Sequence, residues 1–96
     1  MKALFIVFDQ ELQHELDFIL RANQIENYSR LDDVRGKGGS GLKEGNAIGP
    51  GLNHIYWIVL EDKAIEKFLR ELKEFKTHKL KNKGIQVFVL PVETAF

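Results

Sequence analysis

Four short apolar stretches of the chain have the composition of β-strands. They span residues 2–8, 25–34, 53–60 and 85–90, and each is bounded by turn-forming or charged residues, as strands of a small domain are. The second stretch is the most polar of the four. Pro91 follows the last one and limits pairing beyond it.

Between these strands lie two stretches with the spacing of amphipathic helices, about residues 10–23 and 62–78. Asp9 and Asp62 stand at their starts and can cap them. The apolar positions recur every three or four residues, which predicts one buried face per helix. These positions are Leu12, Leu16, Ile19 and Leu20 in the first helix and Ile65, Phe68, Leu69, Leu72 and Phe75 in the second.

The resulting order of elements, βαββαβ, is typical of ferredoxin-like α+β folds. We predict one domain over residues 1–96, with a four-stranded antiparallel sheet and two helices on one of its faces. A long loop joins the second and third strands.

Three of the four strands are apolar on both faces. A sheet with one solvated face needs apolar residues on its other face only. In the first strand Leu4, Ile6 and Phe8 oppose Phe5 and Val7; in the third, Ile55, Trp57 and Val59 oppose Tyr56, Ile58 and Leu60; in the fourth, Val87 and Val89 oppose Phe88 and Leu90. Both faces of the sheet are therefore apolar, and helices can cover only one of them. An apolar surface of that size favours aggregation in a monomer, so we expect the second face to be buried against other subunits. An inward-facing residue at the subunit interface could be Ile58 or Phe88.

The loop of residues 35–51 contains seven of the chain's eight glycines. Loops of this length are uncommon in compact domains unless they are functional or disordered. In the run RGKGGSG, unobstructed backbone N–H groups can surround an anion, and Arg35 and Lys37 supply positive charge. The alternative is that the glycines only prevent regular structure. In both cases we expect the loop to be mobile without a ligand.

Composition excludes several classes of function. The 14 basic residues balance the 14 acidic ones, whereas nucleic-acid-binding domains usually have a basic excess. The absence of cysteine rules out disulfides and thiolate metal sites and fits a reducing compartment. The N-terminal apolar run is too short for a membrane span and has no signal-peptide pattern. We therefore predict a cytoplasmic protein.

The residues that could carry chemistry are few. Asp32 and Asp33 are consecutive on a predicted strand, so regular alternation would point them to opposite faces. No nucleophile stands with a base, and we predict no enzymatic activity. His54 begins the third strand beside the loop, but no histidine spacing predicts a metal site within one chain. Copies of His54 from different subunits are the remaining way to bind a metal.

A basic connector lies between the second helix and the last strand. It comprises Lys76, His78, Lys79, Lys81 and Lys83. One interpretation is that it binds an anion near a neighbouring subunit's loop. The other is a solvated linker, because positive charge is favoured at a helix C-terminus in any case.

Three stretches together resemble the PII signal-transduction family and its wider PII-like superfamily. They are LDDVRGKGG before the loop, DKAIEKFLRELKEF in the second helix and VFVLPVE at the end. The resemblance implies a homotrimer with its sheets facing inward and a small-molecule site in the cleft between subunits, which in PII proteins takes an adenine nucleotide. It also implies that the loop is a T-loop, which docks onto a membrane transporter or an enzyme.

By position, the resemblance places Gly36, Gly38, Gly39 and Ser40 at the loop base and Ile58 on the strand that lines the adenine side. With the charged and polar residues nearby, the predicted ligand-binding set is Arg35, Gly36, Lys37, Gly38, Gly39, Ser40, Ile58, Lys83 and Gln86.

The chain also departs from the family pattern. The run THKLKNKGIQ replaces the family's phosphate-holding glycine-rich stretch, with Gln86 at the lysine position, and Ser40 replaces a glutamine. The sequence ends at Phe96 without the family's C-terminal arginines, and no tyrosine lies between Arg35 and His54, where some PII proteins carry a tyrosine that is modified. The resemblance thus implies a divergent member that senses a small anionic metabolite, with an adenine nucleotide possible and no cofactor certain. The alternative is a metal-linked trimer of the copper-tolerance type, which has the same fold.

Overall fold

The computed structural model describes residues 1–38, 41–43 and 52–96. The strands are β1 (Lys2–Asp9), β2 (Ser29–Val34), β3 (Gly36–Gly38), β4 (Gly41–Lys43), β5 (Asn53–Leu60) and β6 (Ile85–Pro91). The helices are α1 (Gln13–Ala22) and α2 (Asp62–Glu74); a 3-10 turn, Gln10–Leu12, precedes α1, and a π-helical turn, Phe75–Lys79, follows α2. Among these described residues, no helix is both long and apolar enough to cross a membrane.

The main sheet is antiparallel and has the strand order β2-β5-β1-β6. Both helices pack on one face of it, which confirms the predicted ferredoxin-like α+β fold. The core is shared between the central strands β1 and β5 and the two helices. The buried cluster is Leu4, Ile6, Phe8, Leu16, Leu20, Ile25, Tyr56, Ile58, Ile65, Phe68, Leu72 and Ile85. The apolar positions predicted for both helices are therefore the ones that pack inward.

Two predicted boundaries differ from the structure near α1 and β2. Asp9 caps as predicted, since its Oδ1 accepts from the backbone N–H of Glu11 at 3.0 Å, but it caps a 3-10 turn from which α1 then continues. The second strand begins at Ser29 instead of Ile25. Ile25 is buried nonetheless, because it enters the core ahead of the strand.

Asp62 does not cap α2, and that prediction is wrong. The N-cap residue is Glu61, which makes no side-chain capping bond, and Asp62 is the first helical residue. Its Oδ1 instead accepts from the amino group of Met1 at 2.9 Å. This bond to the positively charged N-terminus lowers the pKa of Asp62. The two groups are 61 positions apart, a distance over which sequence periodicity carries no information.

The basic connector has regular backbone structure over part of its length. Lys76 and Lys79 lie in the π-helical turn, a feature frequent at functional sites. The backbone N–H of Asn82 donates to the carbonyl of Lys76 at 2.8 Å. Lys81 and Asn82 have left-handed backbones, with φ of 53° and 65°, as residues that end a helix often do.

The glycine loop contains regular structure that the sequence did not predict. β3 and β4 form a two-stranded antiparallel ladder in which Gly36 pairs with Lys43 and Gly38 with Gly41. Residues 39–40 and 44–51 lie outside the described residues, and so does most of the segment for which we predicted mobility.

Because Tyr56 is buried, the stability of the fold should decrease at alkaline pH. Its ring is fully buried, its hydroxyl donates to Asp17 of α1, and burial raises its pKa well above the ordinary value of 10.0. The unfolded chain therefore loses this proton first as pH rises. Stability contributed by Tyr56 is complete below pH 10 and should fall above it, by up to about 1.4 kcal/mol per pH unit.

Urea unfolding between pH 8 and pH 11 checks this expectation. Tyr56→Phe should show a shallower loss of stability than the wild type, whereas Tyr28→Phe, at the half-exposed Tyr28, should keep the full loss. An equal slope in wild type and Tyr56→Phe would contradict it.

Candidate functional site

The loop base and the basic connector lie at the same end of the sheet. Val34, the last residue of β2, pairs with Asn53, the first of β5, and Asn53 pairs with Asp9 at the end of β1. The backbone N–H of Asp9 donates to the carbonyl of Gly84 at 2.9 Å, which brings the connector to that end as well. The predicted ligand-binding residues of both regions therefore share one end of the molecule.

The loop base presents exposed cationic side chains. Arg35 and Lys37 are both exposed, one on each side of Gly36. A Cβ placed on Gly36 would meet nothing within 4 Å, so there is open space beside this backbone. Gly39 and Ser40, predicted for the same group, lie outside the described residues.

The second cationic group lies on the outer edge of β6. Lys83 and Gln86 are exposed there, and Nζ of Lys76 donates to Oε1 of Gln86 at 2.7 Å. Lys76 thus places an ammonium group beside Gln86, which stands where the PII pattern has a lysine. From the sequence, Lys76 was considered only as part of the basic connector and was not paired with Gln86. Its ten-residue separation from Gln86 matches no helix or strand period.

One chain does not bring these two groups together. β2 and β6 are the two edges of the four-stranded sheet, and three strand spacings correspond to about 14 Å. Arg35 and Lys37 are therefore separated from Lys76 and Lys83 by the width of the sheet.

Ile58 does not belong with either group. Its side chain is completely buried on the helix-covered face, within the core cluster. No surface of Ile58 is accessible to a ligand in this chain, so we leave it out of the candidate site. The sequence argument placed it correctly on the third long strand but did not specify which face the ligand contacts.

A β-bulge with an ordered polar network ends β2 just before the loop. The pairing register of β2 with β5 shifts between Leu31 and Val34, and Asp33 has a φ of 57°. The backbone N–H of Asp33 donates to Nδ1 of His54 at 3.3 Å, and Oδ1 of Asp32 lies 3.5 Å from the same nitrogen. Regular alternation, the premise for placing the two aspartates on opposite faces, does not hold here.

His54 is 7% exposed and faces the helix-covered side of the sheet. The metal-linked alternative needs this side chain at a subunit boundary, and no contact of His54 with the residues that the structure describes favours that. Within residues 1–38, 41–43 and 52–96, no group of three or more histidine, aspartate or glutamate side chains is placed to hold a metal ion.

The sheet face opposite the helices is apolar, as predicted. Phe5 of β1 lies in register with Trp57 and with Phe88, and the Phe5 and Trp57 rings meet edge to face at 4.3 Å. Phe88 is 51% exposed. We define the open face as Phe5, Val7, Ile55, Trp57, Val59, Phe88 and Leu90.

The chain is an α+β protein whose fold is that of the PII-like proteins, and solved structures show this likeness. CPII from Thiomonas intermedia K12, a nitrogen regulatory PII-like protein bound to ADP, AMP and bicarbonate, superposes with a TM-score of 0.77 over 98% of this chain and 93% of that one, at 16% identity. Its complex with ADP and bicarbonate gives 0.73 over 92% and 81%, at 18% identity. Its apo form gives 0.69 over 92% and 84%, at 15% identity.

No protein-family model matches this sequence, and no curated protein is significantly similar to it. The resemblance identified from the sequence is thus confirmed at the level of the fold.

Proposed function

We propose that the protein is a cytoplasmic, trimeric regulator that binds a small anionic metabolite between subunits. In this proposal the glycine loop then signals to a membrane transporter or an enzyme. One observation carries the proposal. Two groups of cationic side chains lie at the same end of the sheet, but at its opposite edges. If the β2 edge of one subunit lies beside the β6 edge of the next, the two groups form one anion site in each cleft.

The open face supplies the reason to assemble. An apolar surface bearing Phe5, Trp57 and Phe88 gains free energy when it is removed from water, at about 25 cal/mol per Å². A contact that joins two different edges is heterologous, and such contacts form a closed ring when the rotation from one subunit to the next closes. Three copies would bury their open faces in the centre of the ring and leave the helices outside.

The cations of the cleft favour a ligand with a small or short anionic group. In the proposed cleft, Arg35 and Lys37 come from one subunit, and Lys76, Lys83 and Gln86 come from its neighbour. CPII is described with ADP, AMP and bicarbonate, all anions of this kind. Since the phosphate-holding stretch of the PII pattern is replaced in this sequence by THKLKNKGIQ, we propose that an adenine nucleotide binds without recognition of its γ-phosphate.

Calorimetry with ATP, ADP, AMP and bicarbonate tests this proposal. A charge-assisted contact to the γ-phosphate would be worth roughly 1.5–3 kcal/mol, or about one to two decades in affinity. Without that contact, ATP and ADP should bind within about tenfold of each other. Tight magnesium-dependent binding of ATP with inactive AMP would show instead that the site works as a typical PII nucleotide site. If none of the four anions bound, the proposed ligand class would be wrong.

Lys76 should contribute directly to anion affinity. Its ammonium group lies at the β6 edge through the bond to Gln86, where it can reach a bound anion. Lys76→Met removes the charge and keeps the side-chain length, so ADP affinity should fall by about tenfold, the effect of one charge-assisted bond. Lys83→Ala should act in the same direction.

Lys73→Met is the matched control, since Lys73 is exposed in the last turn of α2 and belongs to the regular helix rather than to the connector. It should bind ADP like the wild type. Equal losses in Lys73→Met and Lys76→Met would mean that only overall charge matters.

A further inference from the structure

A ring nitrogen of His54 accepts a backbone hydrogen bond at the junction between β2 and the loop. The nitrogen is Nδ1 of His54, which accepts the backbone N–H of Asp33. Asp33 has a left-handed backbone, which a non-glycine residue adopts only where its surroundings favour it. The bond from Asp33 to His54 is therefore part of what directs the chain towards Arg35, two residues further on.

This bond requires a particular form of the imidazole. A ring nitrogen that accepts a hydrogen bond carries no proton, so a neutral His54 must have its proton on Nε2. The protonated ring has donors at both nitrogens and can no longer accept from Asp33. The structure thus assigns the junction to the neutral Nε2–H tautomer.

Asp32 offers the protonated ring another partner. Its Oδ1 lies 3.5 Å from the same Nδ1, so two acceptors face each other while His54 is neutral. On protonation, Nδ1–H can donate to the carboxylate of Asp32, and the N–H of Asp33 loses its acceptor. Two consecutive residues of β2 therefore compete for one atom of β5.

Among the described residues, the other neighbours of His54 do not supply a further acceptor for its Nδ1. Arg30 of β2 is paired with Asp32, with Nε 2.7 Å from Oδ1. From β1, the apolar ring of Phe8 packs edge to face on the imidazole at 5.7 Å. Along β5, the next residue on this side is Tyr56, whose hydroxyl is engaged with Asp17 of α1.

We propose that His54 is a positioning residue that makes anion binding at the loop base depend on its own charge. Neutral His54 holds the bulge and with it the direction of Arg35. Protonated His54 releases Asp33 and weakens binding. Histidine is the side chain that ordinarily changes charge between pH 5 and pH 8. The inference rests on the proposed function for its consequence in binding, but its structural step can be measured without a ligand.

NMR on the unaltered chain tests the structural step. Nitrogen shifts of the His54 ring should show the Nε2–H tautomer at pH 8, and the Asp33 amide resonance should follow the protonation of His54 as pH falls to 5. His54→Asn places an amide oxygen near the position of Nδ1 and does not titrate, so its Asp33 amide should stay constant. His14→Asn, at the exposed His14, should titrate like the wild type. An Nδ1–H tautomer, or an Asp33 amide that ignores His54, would overturn the inference.

Binding of AMP at pH 8 and pH 6 tests the consequence. The phosphate of AMP itself gains a proton between pH 8 and pH 6. This change in AMP is the same for both proteins, so the wild type is compared with His54→Asn. Loss of one backbone hydrogen bond corresponds to about a two- to tenfold change. Wild-type affinity should fall by that factor relative to His54→Asn, and both should bind equally at pH 8. Equal pH dependence in both would overturn the coupling. If AMP binds at neither pH, the proposed ligand is wrong, while the NMR result still decides the role of His54.

Discussion

Replacing Phe88 by aspartate should convert the proposed trimer into folded monomers. Phe88 lies on the open face in register with Phe5 and is half exposed in the single chain. In a monomer the new carboxylate would face water and leave the core unchanged. In the trimer it would be buried three times without a partner, at a cost of several kcal/mol for each ion.

Sedimentation and light scattering at micromolar concentration measure this change, and circular dichroism checks that the fold is retained. Val89→Asp is the matched control, because Val89 is adjacent on β6, is 42% exposed and points to the opposite face. It should remain trimeric. A wild-type chain that is monomeric, or a trimeric Phe88→Asp variant, would refute assembly through the open face.

Replacing Ile58 by aspartate should prevent folding altogether. Ile58 is completely buried between the sheet and the helices. Removing its apolar side chain costs about 2–5 kcal/mol when it is truncated to alanine, and a buried carboxylate without a partner adds several more. Together these approach or exceed the roughly 5–15 kcal/mol that stabilises a typical domain. The variant should lack the dispersed amide NMR spectrum of a folded protein.

Ile58→Val distinguishes a charge effect from a packing effect at the same position. It should fold and lose only about 0.5–1.5 kcal/mol of unfolding free energy. A folded Ile58→Asp protein with normal stability would mean that Ile58 is not in the core. Trp57 and Ile58 are neighbours in sequence but lie on opposite faces, so Trp57→Asp should behave like Phe88→Asp instead.

The comparison of these two aspartate variants also shows where sequence reasoning reached its limit. Period-two alternation correctly divided β1, β5 and β6 into two apolar faces. It could not say which face the helices cover, because both faces have residues of the same kind. Phe88 and Ile58 were therefore equivalent candidates for the subunit interface, and only helix packing separates them.

The candidate site was predicted in parts. The glycine loop, Arg35, Lys37, Lys83 and Gln86 were assigned to the candidate site from composition and from the family resemblance. Their arrangement on opposite sheet edges was not, because strand order depends on pairings between distant segments. Lys76 was missed as a partner of Gln86, since the π-helical turn that brings it there has no signature in the apolar spacing.

The sequence by itself determined the number, type and order of the main strands and helices, because hydrophobic periodicity and capping residues act over a few neighbouring positions. It also determined that the sheet has two apolar faces. Only the tertiary structure decided that Asp62 bonds to Met1, that glycine segments pair as β3 and β4, and that His54 holds the bulge at Asp33. Each of these contacts depends on backbone geometry or on a side chain that is distant in sequence. Their energies depend on positions in space, which the local spacing of residues does not encode.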